Sequence, residues 1–247
     1  MNMKNDNSDR TNLIHCTTFE SLKNILRSRQ FYPSFCLEEC SFLHPKPMNF
    51  AFAVVCFADL LDIELKGHMS IFHSDSYIKM DKNWAIRNGV SPVTYYSDKC
   101  TIANIFRSIT DYTVNSNPNE NVETKKLFNS VSLLLGYLKQ YRGKYYNKKT
   151  KTFSELTQFY TEREWRYLPF PKNGEAYYIT EEEFLDEDFR KDKEEELRKA
   201  KLTLSFTWND ILNIGVPFKE KNLILDELSN NFGLSVEEVE NKVQLIK

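Results

Sequence analysis

The chain has 247 residues, of which 41% are hydrophobic and 14% aromatic, so residues 1–247 can bury a large core as one globular domain. Its formal net charge at pH 7 is −2, and this balance gives no general reason to expect a nucleic acid or a membrane surface as partner. No apolar run approaches the length that a membrane-spanning helix needs, so we expect no membrane partner.

The polar start and the cysteine content indicate a cytoplasmic protein. Residues 1–10 contain no apolar signal segment, and we expect them to be disordered. The five cysteines are odd in number and form no CxxC pair, which favours a reducing compartment. Cys36, Cys40 and His44 would share one face of a helix, but no second ligand pair lies nearby, so we expect no metal site.

The first ordered segment places a histidine at the end of a short apolar strand. Residues 13–16 predict this strand, and the apolar spacing of residues 19–26 predicts a helix directly after it, opened by a capping box of Thr17 and Glu20. His15 then lies near unpaired backbone N–H groups and the positive end of a helix dipole. The alternative is an ordinary strand histidine whose ring bonds to the backbone.

The middle of the chain alternates strands and helices. The apolar run 48–58 predicts a buried central strand, and 76–80 and 93–96 predict two more. Helices are predicted at 60–71, at 82–88 with Gly89 at the C-terminal end, and at 127–141. The polar stretch 111–124 predicts a surface loop.

The last third is more polar. Residues 144–151 are basic with two tyrosines, which suits a solvated turn, a nucleic-acid contact or the diphosphate of a nucleotide. The later part of the charged stretch 181–201 predicts an exposed helix, 202–206 predict a strand, and 211–216 predict a turn into another strand. Residues 219–247 predict a C-terminal pair of helices, the second opened by Ser235 and Glu238.

One late strand carries charges with a shared orientation. Over residues 162–167, alternation places Glu162, Glu164 and Arg166 on one face of the strand. Burying these charges unpaired costs too much, so they line a cleft or form ion pairs on an exposed edge.

Together these segments resemble the AbiGi family of abortive phage resistance proteins over about residues 12 to 216. The most specific elements are Cys-Phe-Ala-Asp at 56–59 and Glu-Trp-Arg at 164–166. The resemblance implies a role in phage defence, as an abortive infection protein or as part of a toxin–antitoxin pair.

The opening His-x-Thr strand, the helix after it and the late acidic strand are also similar to the ADP-ribosyltransferase fold, including DarT-like members. This resemblance implies an α/β (α+β) fold with a bent or split mixed sheet, and NAD as substrate. His15 would hold the ribose, with Thr17 beside it, and Tyr77 would stack on the nicotinamide. Glu164, or Glu162 in its place, would stabilise the ribose cation.

The chemistry requires these residue types, because cleavage of the nicotinamide–ribose bond builds positive charge on the ribose. Arg166 would orient Glu164 or bind phosphate. The acceptor would be a nucleic acid, a protein or a small molecule. The alternative function is a non-catalytic antitoxin that uses the same fold to bind and neutralise a toxin.

Overall fold

The computed structural model describes residues 12–40, 49–97, 99–115, 122–148, 150–170 and 177–246. Within those residues the strands are β1 Asn12–Thr17, β2 Gln30–Phe31, β3 Ser34–Glu39, β4 Asn49–Ala58, β5 Ser76–Asp81, β6 Ser91–Pro92, β7 Thr94–Tyr96, β8 Leu138–Gln140, β9 Tyr146–Asn147, β10 Thr152–Phe153, β11 Glu164–Tyr167, β12 Tyr178–Thr180, β13 Leu204–Ser205, β14 Ile211–Pro217 and β15 Val243–Ile246. The α-helices are α1 Phe19–Ser28, α2 Asp62–Ile71, α3 Lys82–Arg87, α4 Thr101–Asn115, α5 Val122–Leu135, α6 Glu181–Leu185, α7 Glu187–Lys199, α8 Lys221–Phe232 and α9 Val236–Glu240.

A mixed sheet forms the centre of the domain and confirms the expected mixed α/β class. Seven of its strands follow the order β15, β14, β5, β1, β4, β11, β6, and β3 and β12 pair with the other half of β4. β15 runs parallel to β14, whereas the other pairings in this sheet are antiparallel. Two short strands outside it, β7 and β8, also run parallel.

The sheet is split beside β4. β1 meets β4 at a single register position, Ile14 opposite Ala58, whereas β3 pairs with β4 from Val54 back to Asn49. The positions of β4 between these two partners therefore have no strand on that edge. This gap lies next to Cys56, in the strand that the apolar run predicted to be central.

Helices cover both faces of the sheet. One face carries Phe57 and packs under α1, α3 and α8 through a cluster that includes Leu22, Trp84 and Ile224. The other face carries Ala58 and packs under α2 through Leu65 and Met69. Further along the same face, Phe52 and Val54 pack with Ala103, Val131 and Leu135 of α4 and α5. Residues on the two faces of the sheet therefore have different packing partners.

Several local expectations are wrong. The cap of α1 is Thr18, whose hydroxyl accepts from the Ser21 N–H, because β1 continues through Thr17. The segment with Cys36 is a strand, so the helical spacing of Cys36 and Cys40 does not arise, and His44 lies outside the described residues. No cluster of metal-binding side chains occurs within the part of the chain that the structure describes.

The expected boundaries also shift in the second half. α4 runs through Asn115 and α5 starts at Val122, so both helices extend into the predicted loop 111–124, of which 116–121 lie outside the described residues. α5 ends at Leu135, and residues 138–140 form β8 rather than a last helical turn. The two C-terminal helices are followed by β15, a strand that the sequence did not suggest.

Candidate functional site

A cavity of about 370 Å³ opens beside the split in the sheet. Its walls come from β1, β3, β4, β8 and β11, from the residues after α2 and from the 3-10 turn Phe159–Glu162. Five of the six residues that the sequence singled out line this cavity: His15, Thr17, Glu162, Glu164 and Arg166. A cavity of this size falls in the range that binds small molecules.

A buried ion network forms one wall of the cavity. Arg166 donates from Nε to Glu164 Oε1 at 2.6 Å, from Nη2 to Glu164 Oε2 at 3.1 Å and from Nη1 to the Gly136 carbonyl at 2.8 Å. Its Nη2 also donates to Glu38. Arg166 is 1% exposed and Glu164 4%, since Glu38, Lys139 and the Gly136 carbonyl cover them, and β11 lies between β4 and β6 and not on an open edge. Glu164 and Arg166 therefore line a cleft and do not form an ion pair on an exposed edge.

Lys139 joins the two glutamates of this wall. Its Nζ donates to Glu164 Oε2 at 2.7 Å and to Glu162 Oε2 at 3.4 Å, and it lies over the Phe159 ring. Burial alone would raise the pKa of Glu164, but the charges of Arg166 and Lys139 outweigh this effect and hold the pKa well below its usual range. Glu164 therefore stays ionised at neutral pH.

Glu162 has a different environment, although it lies only two residues away. It sits in the 3-10 turn and not in β11, because Arg163 adopts the left-handed conformation with φ 44° and its Nε donates to the Asp59 carbonyl at 2.6 Å. Burial raises the pKa of Glu162 to about 7, against the opposing charge of Lys139. Its buried Oε1 has no hydrogen-bond partner among the described residues. This atom is free to bind a ligand in the cavity.

His15 stands in the gap of the sheet. The Cys56 carbonyl oxygen lies 2.7 Å from His15 Nδ1, so Nδ1 carries the proton and donates, and Nε2 is an acceptor. Burial lowers the pKa of His15, so the ring is neutral at neutral pH. The ring packs against Phe31 and Phe57 at 5.2 and 5.7 Å between centroids.

His15 and Glu164 lie on opposite faces of the sheet. Trp165 pairs with Phe57, and the His15 ring packs on Phe57, whereas Glu164 pairs with Ala58 and points the other way. Both residues line the cavity because β1 and β4 separate beyond Ile14. The cavity thus connects the two faces through the gap.

Tyr77 does not line the cavity. Its ring is 3% exposed and packs with Leu65 and Met69 of α2, and its hydroxyl donates to Asn213 at 3.1 Å and to Gln244 at 2.8 Å. The structure therefore brings together the other predicted site residues without the predicted stacking aromatic.

The sequence did not single out two charged groups that contribute to the wall, Lys139 and Glu38, and it considered Cys36 only as a metal ligand. The leucine spacing of α5 continues to Leu138 and predicted a helix there, but the structure places Lys139 in β8. A hydrogen bond from Cys56 lowers the pKa of Cys36 to about 7, against the effect of burial. Gly136, three residues before Lys139, is the signal in the sequence that could have ended the predicted helix earlier.

The basic segment 144–151 divides into two parts. Lys148 pairs with Glu194 at 3.6 Å and Lys151 with Glu187 at 3.3 Å, so acidic residues of α7 neutralise its second half. Lys144 lines the cavity and has no ion pair within the described part of the chain.

The structure defines a mixed α/β protein with a cavity at a split in its sheet, one wall of which is a buried ion network. The sequence matches a family model described as "Putative abortive phage resistance protein AbiGi, antitoxin" over residues 29–217. The chain therefore belongs to the AbiGi family, which indicates a role in abortive phage resistance. No curated protein and no solved structure matches the chain. No helix within the described ranges is long and apolar enough to cross a membrane.

Proposed function

We propose that this AbiGi protein binds NAD in the central cavity and cleaves its nicotinamide–ribose bond to transfer ADP-ribose. The observation that carries the proposal is the convergence of His15, Thr17, Glu162, Glu164 and Arg166 on one cavity of about 370 Å³. These residues come from the first strand and from the segment around β11, which are far apart in sequence. A ligand is also expected at Glu162, whose buried Oε1 lacks a partner within the described residues.

The cavity offers groups for each part of a nucleotide. Neutral His15 presents Nε2 as an acceptor for a ribose hydroxyl, because Nδ1 is occupied by the Cys56 carbonyl. Lys144, at the margin of the cavity, supplies positive charge for a diphosphate. Tyr145 and Phe159 add ring surface to the same lining.

The two glutamates suit different steps of the reaction. When the glycosidic bond breaks, its electron pair neutralises the nicotinamide nitrogen and leaves positive charge on the ribose. Ionised Glu164 stabilises that charge. A nucleophile of the acceptor then forms the new bond to the ribose carbon and gives its proton to Glu162, whose pKa of about 7 suits a general base.

The test measures nicotinamide release from NAD by the wild type, Glu164→Gln and His15→Ala. Glu164→Gln removes the charge and keeps the shape, so turnover should fall at least about a hundredfold. His15→Ala should weaken NAD binding, measured by calorimetry. Thermal melts of each variant check folding. No release and no NAD binding by folded wild-type protein would contradict the proposal.

A non-catalytic antitoxin is the second candidate, and two observations favour it. Arg166 and Lys139 already occupy both oxygens of Glu164, and His15 lies on the other face of the sheet. A protein of this kind would act by binding a toxin and would not need turnover. Phage plaque assays with Glu162→Gln separate the candidates, because this substitution removes the proposed general base and leaves the bonds between Arg166 and Glu164 in place. Protection by an enzyme should be abolished, and protection by a binding protein should remain intact.

A further inference from the structure

A second, more open cavity of about 620 Å³ adjoins the first. The two cavities share three lining residues: Glu39, Gln140 and Lys144. The second cavity adds Lys99 and Arg142, which do not line the first. The two cavities are therefore neighbours, and one extended ligand can contact both of them.

The fold brings the cations together in a fixed arrangement. β7 and β8 run parallel and end in register, with Tyr96 opposite Gln140, so Lys99 and Arg142 follow neighbouring strand ends. Gly143 is held by two backbone hydrogen bonds to Thr157, of 2.9 and 2.8 Å. Arg142 and Lys144 flank this glycine, and both line the open cavity.

These cations are available for a ligand. Lys99, Arg142 and Lys144 form no ion pair with any described residue, in contrast to Lys148 and Lys151, which α7 neutralises. Glu39 is the single acidic residue in the described lining of the open cavity, so that lining carries an excess of positive charge. An anionic ligand with several charges is the complementary partner.

Exposed aromatic rings lie beside the cations. Tyr141 lines the open cavity, is 42% exposed and stacks on Tyr160, which is 52% exposed, at 5.5 Å with an interplanar angle of 25°. Gln158 fixes the Tyr141 ring by donating to its hydroxyl at 2.7 Å. Rigid, exposed rings of this kind provide faces on which unpaired bases stack.

We propose that the open cavity binds single-stranded nucleic acid, with phosphates on Lys99, Arg142 and Lys144 and a base on Tyr141. Stacking on an exposed ring inside a concave cavity requires an unpaired base, so a duplex fits poorly. The strand then extends towards Glu162 in the first cavity. This binding does not depend on the proposed cleavage of NAD in the first cavity.

The experiment measures fluorescence anisotropy of labelled single-stranded DNA and RNA of about twelve nucleotides, with a duplex of the same sequence for comparison. The variant Lys99→Ala/Arg142→Ala should bind single strands at least tenfold more weakly. The slope of log K against log salt should fall by about 1.4, or 0.7 for each lost phosphate contact. Tyr141→Ala should weaken binding by about 5- to 150-fold without changing that slope.

The matched control is Arg87→Ala/Lys219→Ala, which removes one arginine and one lysine from exposed positions outside both cavities. It should bind as the wild type does. Equal loss in the control and the test variant, or equal affinity for duplex and single strand, overturns the proposal. NAD calorimetry on Lys99→Ala/Arg142→Ala separates the two proposals, because these residues line only the open cavity.

Discussion

Replacement of Arg166 by methionine tests whether the ion network holds the site together. Methionine keeps an unbranched chain but removes the guanidinium that contacts Glu164, Glu38 and the Gly136 carbonyl. Since Arg166 is 1% exposed, water cannot replace these contacts without opening the core. Glu164 would keep Lys139 as its remaining donor, whereas the half-buried Glu38 and the Gly136 carbonyl would lose the bonds that Arg166 donates.

The expected cost follows from this burial. Removal of one partner from a buried ion pair typically costs about 3–5 kcal/mol, since the remaining charge stays desolvated. For a domain of this size, 1 kcal/mol lowers Tm by about 2–4 °C, so Arg166→Met should lower Tm by about 6–20 °C. Glu164→Gln in the same chain removes one of the stranded charges, so the double variant should be more stable than the sum of the two single effects predicts.

The assay is urea unfolding followed by tryptophan fluorescence, because Trp165 is adjacent to the substituted residue in β11. Arg27→Met is the control, since Arg27 makes a two-bond pair with Glu227 but its side chain is 54% exposed. Its removal should change stability little. If Arg166→Met unfolded within about 1 kcal/mol of the wild type, as surface variants do, the network would not be the buried, stabilising element inferred here.

Three further predictions concern single positions. Burial raises the pKa of Glu162 to about 7 in the folded state, above the value of 4.5 that it has without burial. The stability that Glu162 contributes is therefore complete below pH 4.5 and is lost as the pH rises towards 7. Glu162→Gln should gain stability relative to the wild type between pH 5 and pH 8 in thermal melts. Gly215→Ala should cost about 1–3 kcal/mol in urea unfolding, because its new Cβ would lie 1.9 Å from the buried Tyr77 ring. Gly67 lies in a helix with open space around it, so Gly67→Ala should instead stabilise the protein by about 0.5–1 kcal/mol. If both substitutions changed the free energy of unfolding by the same amount, the clash with Tyr77 would not be the cause. Ser235→Ala should cost about 1 kcal/mol by the same assay, because it removes the cap of α9.

The sequence predicted the elements whose signals are local. The uninterrupted apolar run gave β4, the spacing of Leu22, Ile25 and Leu26 gave α1, and the pair Ser235 and Glu238 gave the cap of α9. In each case the determining residues lie within a few positions of one another. The expected position of His15 in β1 follows from the same kind of local pattern.

The expectations that were wrong concern features that are set by contacts between residues far apart in the sequence. Gly136 interrupts the leucine pattern three residues before Lys139, but the reason for a glycine there is distant in sequence, because a Cβ would meet Leu168 at 2.2 Å. Tyr77 has the right residue type for a stacking ring, but β14 and β15 cover its hydroxyl and α2 covers its ring. Alternation within β1 and β11 fixes which residues share a face of one strand, but only the pairing of both strands with β4 places His15 and Glu164 on opposite faces.

The choice between turnover and binding depends on what Lys139 does when a ligand enters. Its ammonium holds Glu164 at 2.7 Å and contacts Glu162 more loosely at 3.4 Å. An anionic ligand near Lys144 would attract Lys139 and weaken its hold on the glutamates, which leaves Glu164 Oε2 with only the longer contact to Arg166 Nη2 at 3.1 Å, while Arg166 Nε keeps that carboxylate in place. In this way the network that occupies Glu164 in the free protein is compatible with catalysis. A rigid Lys139 would instead leave both carboxylates neutralised, and the cavity would then act in recognition alone.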